Sequence, residues 1–124
     1  MTAPRQIGSG SLDGHVPLKS SEFQDVKERG ESFAGSFVVM GILEAKDNQT
    51  RLGIVVGRKF DNRAVQRNRA RRLIREAFRL LRHGVDKPVW IVAISRKRLK
   101  NASIQDVQND FIKVFKEAGI WRSS

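Results

Sequence analysis

The segment from Asn62 to Arg82, NRAVQRNRARRLIREAFRLLR, constrains this chain more than any other. Ala70, Leu73, Ile74, Ala77, Leu80 and Leu81 recur at spacings of three and four, the pattern of an α-helix with one buried stripe. Arg67, Arg71, Arg75 and Arg79 form a second row at every fourth residue, with Asn68 and Arg72 beside it. Glu76 is the one acid in the segment and is placed to pair with Arg72. A solvated helix face usually mixes Glu with Lys, because like charges one turn apart repel by about a few tenths of a kcal/mol. A guanidinium also forks onto phosphate oxygens and stacks on bases, which an ammonium does not. The row is therefore read as the track of a phosphate backbone rather than as an ordinary solvated face. RNA and DNA fit it alike. The stripe ties the helix to a sheet, however, and neither a helix-turn-helix partner nor a zipper heptad accompanies it.

The flanks supply that sheet. Met1 to about Lys19 is Gly/Pro-punctuated and aperiodic, the pattern of a disordered arm (1–19) before a single domain (20–120) and a short tail (121–124). Ser20 or Ser21 caps a short helix with Phe23 and Val26, ended by Gly30. Phe33 to Leu43 reads as one long strand, Lys46-Asp47-Asn48-Gln49 as a turn and Leu52 to Val56 as a second strand, the pair forming a hairpin. Asp61 or Asn62 caps the basic helix and His83-Gly84 stops it. Pro88 precedes a third strand, Val89 to Ser95, followed by basic Arg96-Lys97-Arg98. Ser103 caps a last helix with Ile104, Val107, Phe111, Val114, Phe115 and Ala118 on one face, and Gly119 ends it. The order α-β-β-α-β-α predicts an α+β fold, a two-layer sandwich with the helices on one side of a small sheet.

Composition narrows the partner. With 24 Lys+Arg against 13 Asp+Glu the net charge is +11, which attracts polyanions: nucleic acid first, an anionic membrane surface second. The absence of cysteine excludes disulfides and thiolate-held zinc. No apolar run approaches the roughly 20 residues of a membrane helix, and a cytoplasmic protein that does not engage membrane is expected. In the second strand, alternation puts Leu52, Ile54 and Val56 on one face and Gly53, Val55 and Gly57 on the other. The glycine face serves either tight packing or a shallow trough for a nucleotide strand, with Phe23 either a core residue or a ring for base stacking. Catalytic groupings are scarce. His15 falls in the arm and His83 at a helix end, and no paired carboxylates or Ser/His/Asp set stands out. Asp106 and Asp110, one turn apart, suit a solvated face better than a metal, and Asp61 suits an N-cap.

Arg67-Asn68-Arg69 followed by Arg71-Arg72-Leu73-Ile74-Arg75-Glu76-Ala77-Phe78-Arg79 resembles the signature of the bacterial ribonuclease P protein family: an RNR triplet, basic residues, then I-R-E-x-F-R on the central helix. Leu52 to Lys59 resembles that family's "VGLSVSKK" strand, Phe37-Val38-Val39 its "FVLY" strand, Ser21 to Val26 its "EDFxxV" helix and Trp90 to Arg96 its "DIVVIAR" strand. The resemblance spans about Ser20 to Ala118. It departs where the family often has a second aromatic (here Lys27), a Tyr (here Met40) and the Ser of "SKK" (here Gly57).

The resemblance implies a protein subunit of ribonuclease P, inactive alone, whose RNA partner removes the 5′ leader of precursor tRNA with Mg2+ held mainly by the RNA. It implies a mixed sheet with a left-handed βαβ crossover through the basic helix, where handedness rules favour the right-handed form. Arg63, Arg67, Asn68, Arg69, Arg71, Arg72, Arg75 and Arg79 would face the ribonuclease P RNA. Phe23, Lys27, Met40, Val55, Gly57, Arg58 and Lys59 would lie along the precursor tRNA leader. The chain would be a monomer without RNA. Competing readings are a ribosomal protein or general RNA chaperone, a self-sufficient metal nuclease, and an anionic-membrane binder that needs a free apolar face opposite the arginines.

Overall fold

A computed structural model describes residues 16–122 of the chain. In order they form β1 (Val16–Pro17), α1 (Ser20–Arg29), β2 (Glu31–Ala34), β3 (Val38–Glu44), β4 (Arg51–Val55), α2 (Ala64–Leu81), β5 (Val89–Ser95) and α3 (Ile104–Glu117). Short 3-10 segments cover Arg82–Gly84 and Lys97–Asn101. The strands make one five-stranded sheet in the order β1-β4-β5-β3-β2. β5 takes the centre because Val89 to Ala93 are apolar without interruption and all buried, so both of its faces and both of its edges need cover. It runs parallel to β4 and antiparallel to β3. α2 connects the parallel neighbours β4 and β5, so the arginine helix is the crossover of a βαβ unit.

The α+β class and the mixed sheet with packed helices are as expected, but the internal order differs. β3 and β4 are not a hairpin: β5 lies between them, and the Lys46–Gln49 turn, with Asn48 at φ 59, joins strands that never touch. The hairpin is instead β2 with β3, because the segment read as one strand from Phe33 to Leu43 breaks at Gly35-Ser36-Phe37. The break has a specific cause. Asp110 of α3 is buried, and its carboxylate accepts from the backbone N–H of Ser36 (2.7 Å), Phe37 (3.0 Å) and Val38 (3.1 Å). Gly35 leaves room for that carboxylate, which a Cβ at this position would strike.

The helices are not all on one side. Val38, Met40, Ile42, Leu52, Ile91 and Ala93 form a core with Ala70, Ile74, Ala77 and Phe78 of α2 and Val107, Phe111, Val114 and Phe115 of α3. The opposite face carries the cross-strand row Gly41–Val92–Gly53, and α1 lies over it with Phe23 and Val26. Leu18, Ala45 and Trp90 complete this second, smaller core. Leu18 and the strand Val16–Pro17, which pairs with Arg51 and Leu52, fall within the stretch read as arm; residues 1–15 and 123–124 lie outside the described residues.

Local signals account for the helix ends. Ser103 caps α3, its hydroxyl accepting from Asp106 N–H (3.1 Å) while Asp106 accepts from Ser103 N–H (3.0 Å), and Gly119 at φ 74 ends the helix. At α1 the N-cap is Lys19, not a serine, and Glu22 accepts its backbone N–H (2.8 Å). On α2 the buried stripe includes Phe78, whereas Leu80 is exposed.

Candidate nucleic-acid interface

Because β4 and β5 are parallel, their C-terminal ends reach the same edge of the sheet. β4 leads into Arg58-Lys59 and the start of α2; β5 leads into Arg96-Lys97-Arg98. All five of these basic side chains are exposed. The topology thus brings Arg96-Lys97-Arg98 to the same end as Arg58-Lys59 and the start of α2, which lie far earlier in the sequence.

The arginine row of α2 is not straight. Residues four apart advance by about 40° around a helix of 3.6 residues per turn, so the row starts against the sheet and ends in solvent. Arg67, Arg71 and Arg75 are half-buried, and Arg79 is exposed. Arg67 Nη1 donates to the backbone carbonyl of Asp61 (3.0 Å). Arg71 donates to the carbonyl of Val56 (3.2 Å) and to Asn68 Oδ1 (3.0 Å). These bonds use few of the five N–H donors of each guanidinium and fix its plane, leaving other donors for phosphate oxygens. Arg69 and Arg72 are exposed, and Arg69 stands about 200° around the helix from Arg67. The two arginines of the triplet therefore address different sides. Glu76 pairs with Arg79 (Nε to Oε1 3.0 Å), not with Arg72, and holds its own carboxyl below the usual glutamate range by that bond.

Arg63, not Asp61 or Asn62, is the N-cap of α2, and it gives no side-chain cap. Asp61 acts one step earlier. Its Oδ1 accepts from the Arg63 backbone N–H (2.9 Å) and Nε (3.0 Å), and its Oδ2 from Arg63 Nη2 (2.9 Å). Lys100, from the segment after β5, lies 3.4 Å from the same Oδ2 and 5.6 Å from the Phe60 ring centroid. The Arg63 guanidinium holds the buried Asp61 carboxyl well below the usual carboxylate range.

Beside this basic edge the sheet is bare. α1 covers the row Gly41–Val92–Gly53 but stops short of the next row, Ala34–Val39–Ile94–Val55. There Ile94 is 42% and Val55 38% exposed, and the two are cross-strand neighbours, so they form one apolar patch. The half-buried Phe23 ring, seated on Gly53, walls one side of this groove, and Lys27 one turn on is exposed. Gly53 thus serves close packing of Phe23. Gly57 is exposed with open space where a Cβ would stand. Met40 does not lie along the groove: it points into the main core and is fully buried, because its strand position pairs with Ala93 on the α2/α3 face. Val39 and Ile94 line the groove without having been singled out from the sequence. The apolar run of β5 shows no alternation, so nothing in it marked Ile94 as outward.

Asp106 and Asp110 are neither a solvated pair nor a metal site, being a helix-capping group and the buried clamp on the β2–β3 turn. Among the described residues no three His, Cys, Asp or Glu converge as metal ligands, and no helix is long and apolar enough to cross a membrane. His83 is exposed at the helix end, and His15 lies outside the described residues.

Comparison with known proteins decides the family. The profile of the family described as Ribonuclease P matches residues 16–119. The chain belongs to the ribonuclease P protein family. It is 39% identical over 103 residues to the ribonuclease P protein component of Clostridioides difficile (strain 630), covering 82% of this chain and 90% of that one. The structure of the Staphylococcus aureus RNase P protein superposes with a TM-score of 0.72 at 30% identity, over 84% of this chain and 94% of that chain. The RNase P protein from Thermotoga maritima superposes with a TM-score of 0.73 at 29% identity, over 83% and 97%. The family supplies the protein component of an endoribonuclease holoenzyme that works with an RNA subunit in tRNA 5′ processing.

Proposed function

We propose that this chain holds the ribonuclease P RNA with the arginine helix and the precursor tRNA leader with the bare groove of the sheet. The observation that carries the reading is the junction of the two surfaces. One edge of the sheet brings the start of α2, Arg58-Lys59 and Arg96–Arg98 beside the open row Val39–Ile94–Val55. A single strand has a cationic path for its phosphates and an apolar floor for its bases there, with Phe23 as a stacking ring. Leader contacts are assigned to Phe23, Lys27, Val55, Gly57, Arg58 and Lys59. Contacts to the catalytic RNA are assigned to Arg63, Arg67, Asn68, Arg69, Arg71, Arg72, Arg75 and Arg79.

The chemistry contributed by the protein is charge neutralisation. Two polyanions must meet, and fixed cations release their counterions and lower the Mg2+ needed to hold them together. The guanidinium and ammonium groups of this face repel a divalent cation, and the described residues offer no ligand cluster for one. The Mg2+ of the reaction is therefore assigned to the RNA. A cytoplasmic location, with the protein monomeric until it meets RNA, completes the reading, and the domain is taken as 20–120 with β1 added at its edge.

The test mixes purified protein, a bacterial ribonuclease P RNA and labelled precursor tRNA at low Mg2+, with each component also alone. Cleavage at the mature 5′ end in the mixture alone is expected. Cleavage by protein alone overturns the reading in favour of a protein nuclease, and no rate gain over RNA alone overturns it in favour of a general RNA binder.

A further inference from the structure

Asp61 is out of place by composition. It is a buried carboxylate with Arg63 and Lys100 against it and Arg58 and Lys59 just before it in sequence, on a surface otherwise suited to polyanions. An acid there lowers the local positive charge and, by charge count alone, opposes RNA binding. Its bonds point to a different effect. The carboxylate joins Arg63, before α2, to Lys100, which follows β5, and its backbone carbonyl takes Arg67 Nη1. Two chain segments nearly forty residues apart in sequence are thereby fastened with their cations side by side. Arg63 remains largely exposed despite its bonds, so a phosphate reaches its outer N–H groups while Asp61 holds the inner ones.

We propose that Asp61 is a positioning residue for RNA binding: its carboxylate clamps Arg63 and Lys100 into one pre-ordered phosphate-binding cluster that bridges the start of the arginine helix and the segment after β5. The clamp removes rotamer freedom from two long side chains before RNA arrives, and this ordering cost would otherwise be met on binding. The proposal rests on the arginine helix facing the catalytic RNA.

Asp61 also shapes the backbone, through the bond from Arg63 N–H, and two substitutions separate the roles. Asp61→Asn keeps a short side chain whose oxygen still accepts from Arg63 N–H, but loses the charge and turns an NH2 toward Arg63 or Lys100, donor against donor. Asp61→Glu keeps the charge within reach of both cations but is one methylene too long for the tight turn. The dissociation constant for ribonuclease P RNA is measured for both variants and the parent, with circular dichroism confirming the fold of each. The clamp predicts about three- to tenfold weaker binding for Asp61→Asn and a change within about twofold for Asp61→Glu. In a Lys100→Met background the Asn effect shrinks, because one of the clamped cations is already gone. The reverse order of the two variants, or tighter binding by Asp61→Asn, overturns the proposal. Failure of the parent protein to bind the RNA instead removes the functional reading on which it rests.

Discussion

Replacing Asp110 by Ala is expected to destabilise this fold more than truncating any one of the exposed arginines of α2. Three backbone N–H groups converge on its carboxylate, at 2.7, 3.0 and 3.1 Å. A hydrogen bond to a charged group is worth about 1.5–3 kcal/mol, and a buried donor left without a partner costs about as much. The three amides do not weigh equally. Val38 is fully buried, so its N–H cannot turn to water and carries the full cost, whereas Ser36 and Phe37 are half-buried and regain part of theirs by hydration. The expected loss is therefore about 3–5 kcal/mol rather than the full value of three such bonds, a large share of the roughly 5–15 kcal/mol that holds a domain together. Equilibrium unfolding in urea, followed by Trp90 and Trp121 fluorescence, reads it directly. Asp110→Asn, which keeps one acceptor oxygen, falls between parent and Ala. A loss below about 1 kcal/mol for Asp110→Ala with an unchanged urea slope would refute the reasoning, because it would mean the turn amides find other partners.

Three further outcomes follow from the same structure. Gly53→Ala drives a Cβ into the Phe23 ring; a cost of about 1–2 kcal/mol in stability is expected, together with weaker binding of a leader-bearing precursor and unchanged binding of leaderless tRNA in the holoenzyme, and equal effects on both substrates would exclude Phe23 from the leader path. Arg67→Ala and Arg71→Ala should each flatten the log–log salt dependence of RNA affinity by about one unit, and an unchanged slope removes that residue from the phosphate contacts. The carboxyls of Asp25, Asp47, Asp61 and Glu76 are all held low, chiefly by bonds from Lys46, Arg51, Arg63 and Arg79 respectively. The unfolded chain thus binds protons more readily than the folded one, so the stability these groups contribute is present above about pH 4 and is lost as pH falls further; a melting temperature flat from pH 6 to pH 3 would contradict this.

What could be read from the residues was local. The arginine helix, the strand Val89–Ser95 after Pro88, and the last helix with its Ser103 cap and Gly119 stop all carry their signals within a few residues. The two faces of Leu52 to Gly57 are legible too, with Leu52, Ile54 and Val56 on the main core and Gly53 on the opposite face under Phe23. What could not be read was non-local. Asp110 breaks a strand 72 residues earlier in the chain, and no pattern around Phe37 announces it. An apolar strand flanked by two others does not say which neighbours it takes, so the residues alone suggest a β3–β4 hairpin, whereas β5 lies between the two. The site divides in the same way. The arginines were legible as a helical row. The groove was half legible, since Phe23 and Val55 were singled out, whereas Ile94 was hidden in an all-apolar strand and Met40 was assigned to the wrong face because the resemblance gave its position in sequence and not its direction.

The sheet order also bears on how the chain reaches this state. The strand that joins β3 to β4 is the last strand in sequence, so until Val89–Ser95 is available β4 has only the two-residue β1 beside it, and the β2–β3 hairpin stands apart. Beyond that local hairpin the sheet cannot be completed in order of synthesis, and the loop closures that join its parts span long stretches of chain. Folding is consequently expected to be late and all-or-none. A nascent chain ending before Val89 would present two apolar strand edges, a hazard for misassociation that disappears when β5 slots between them.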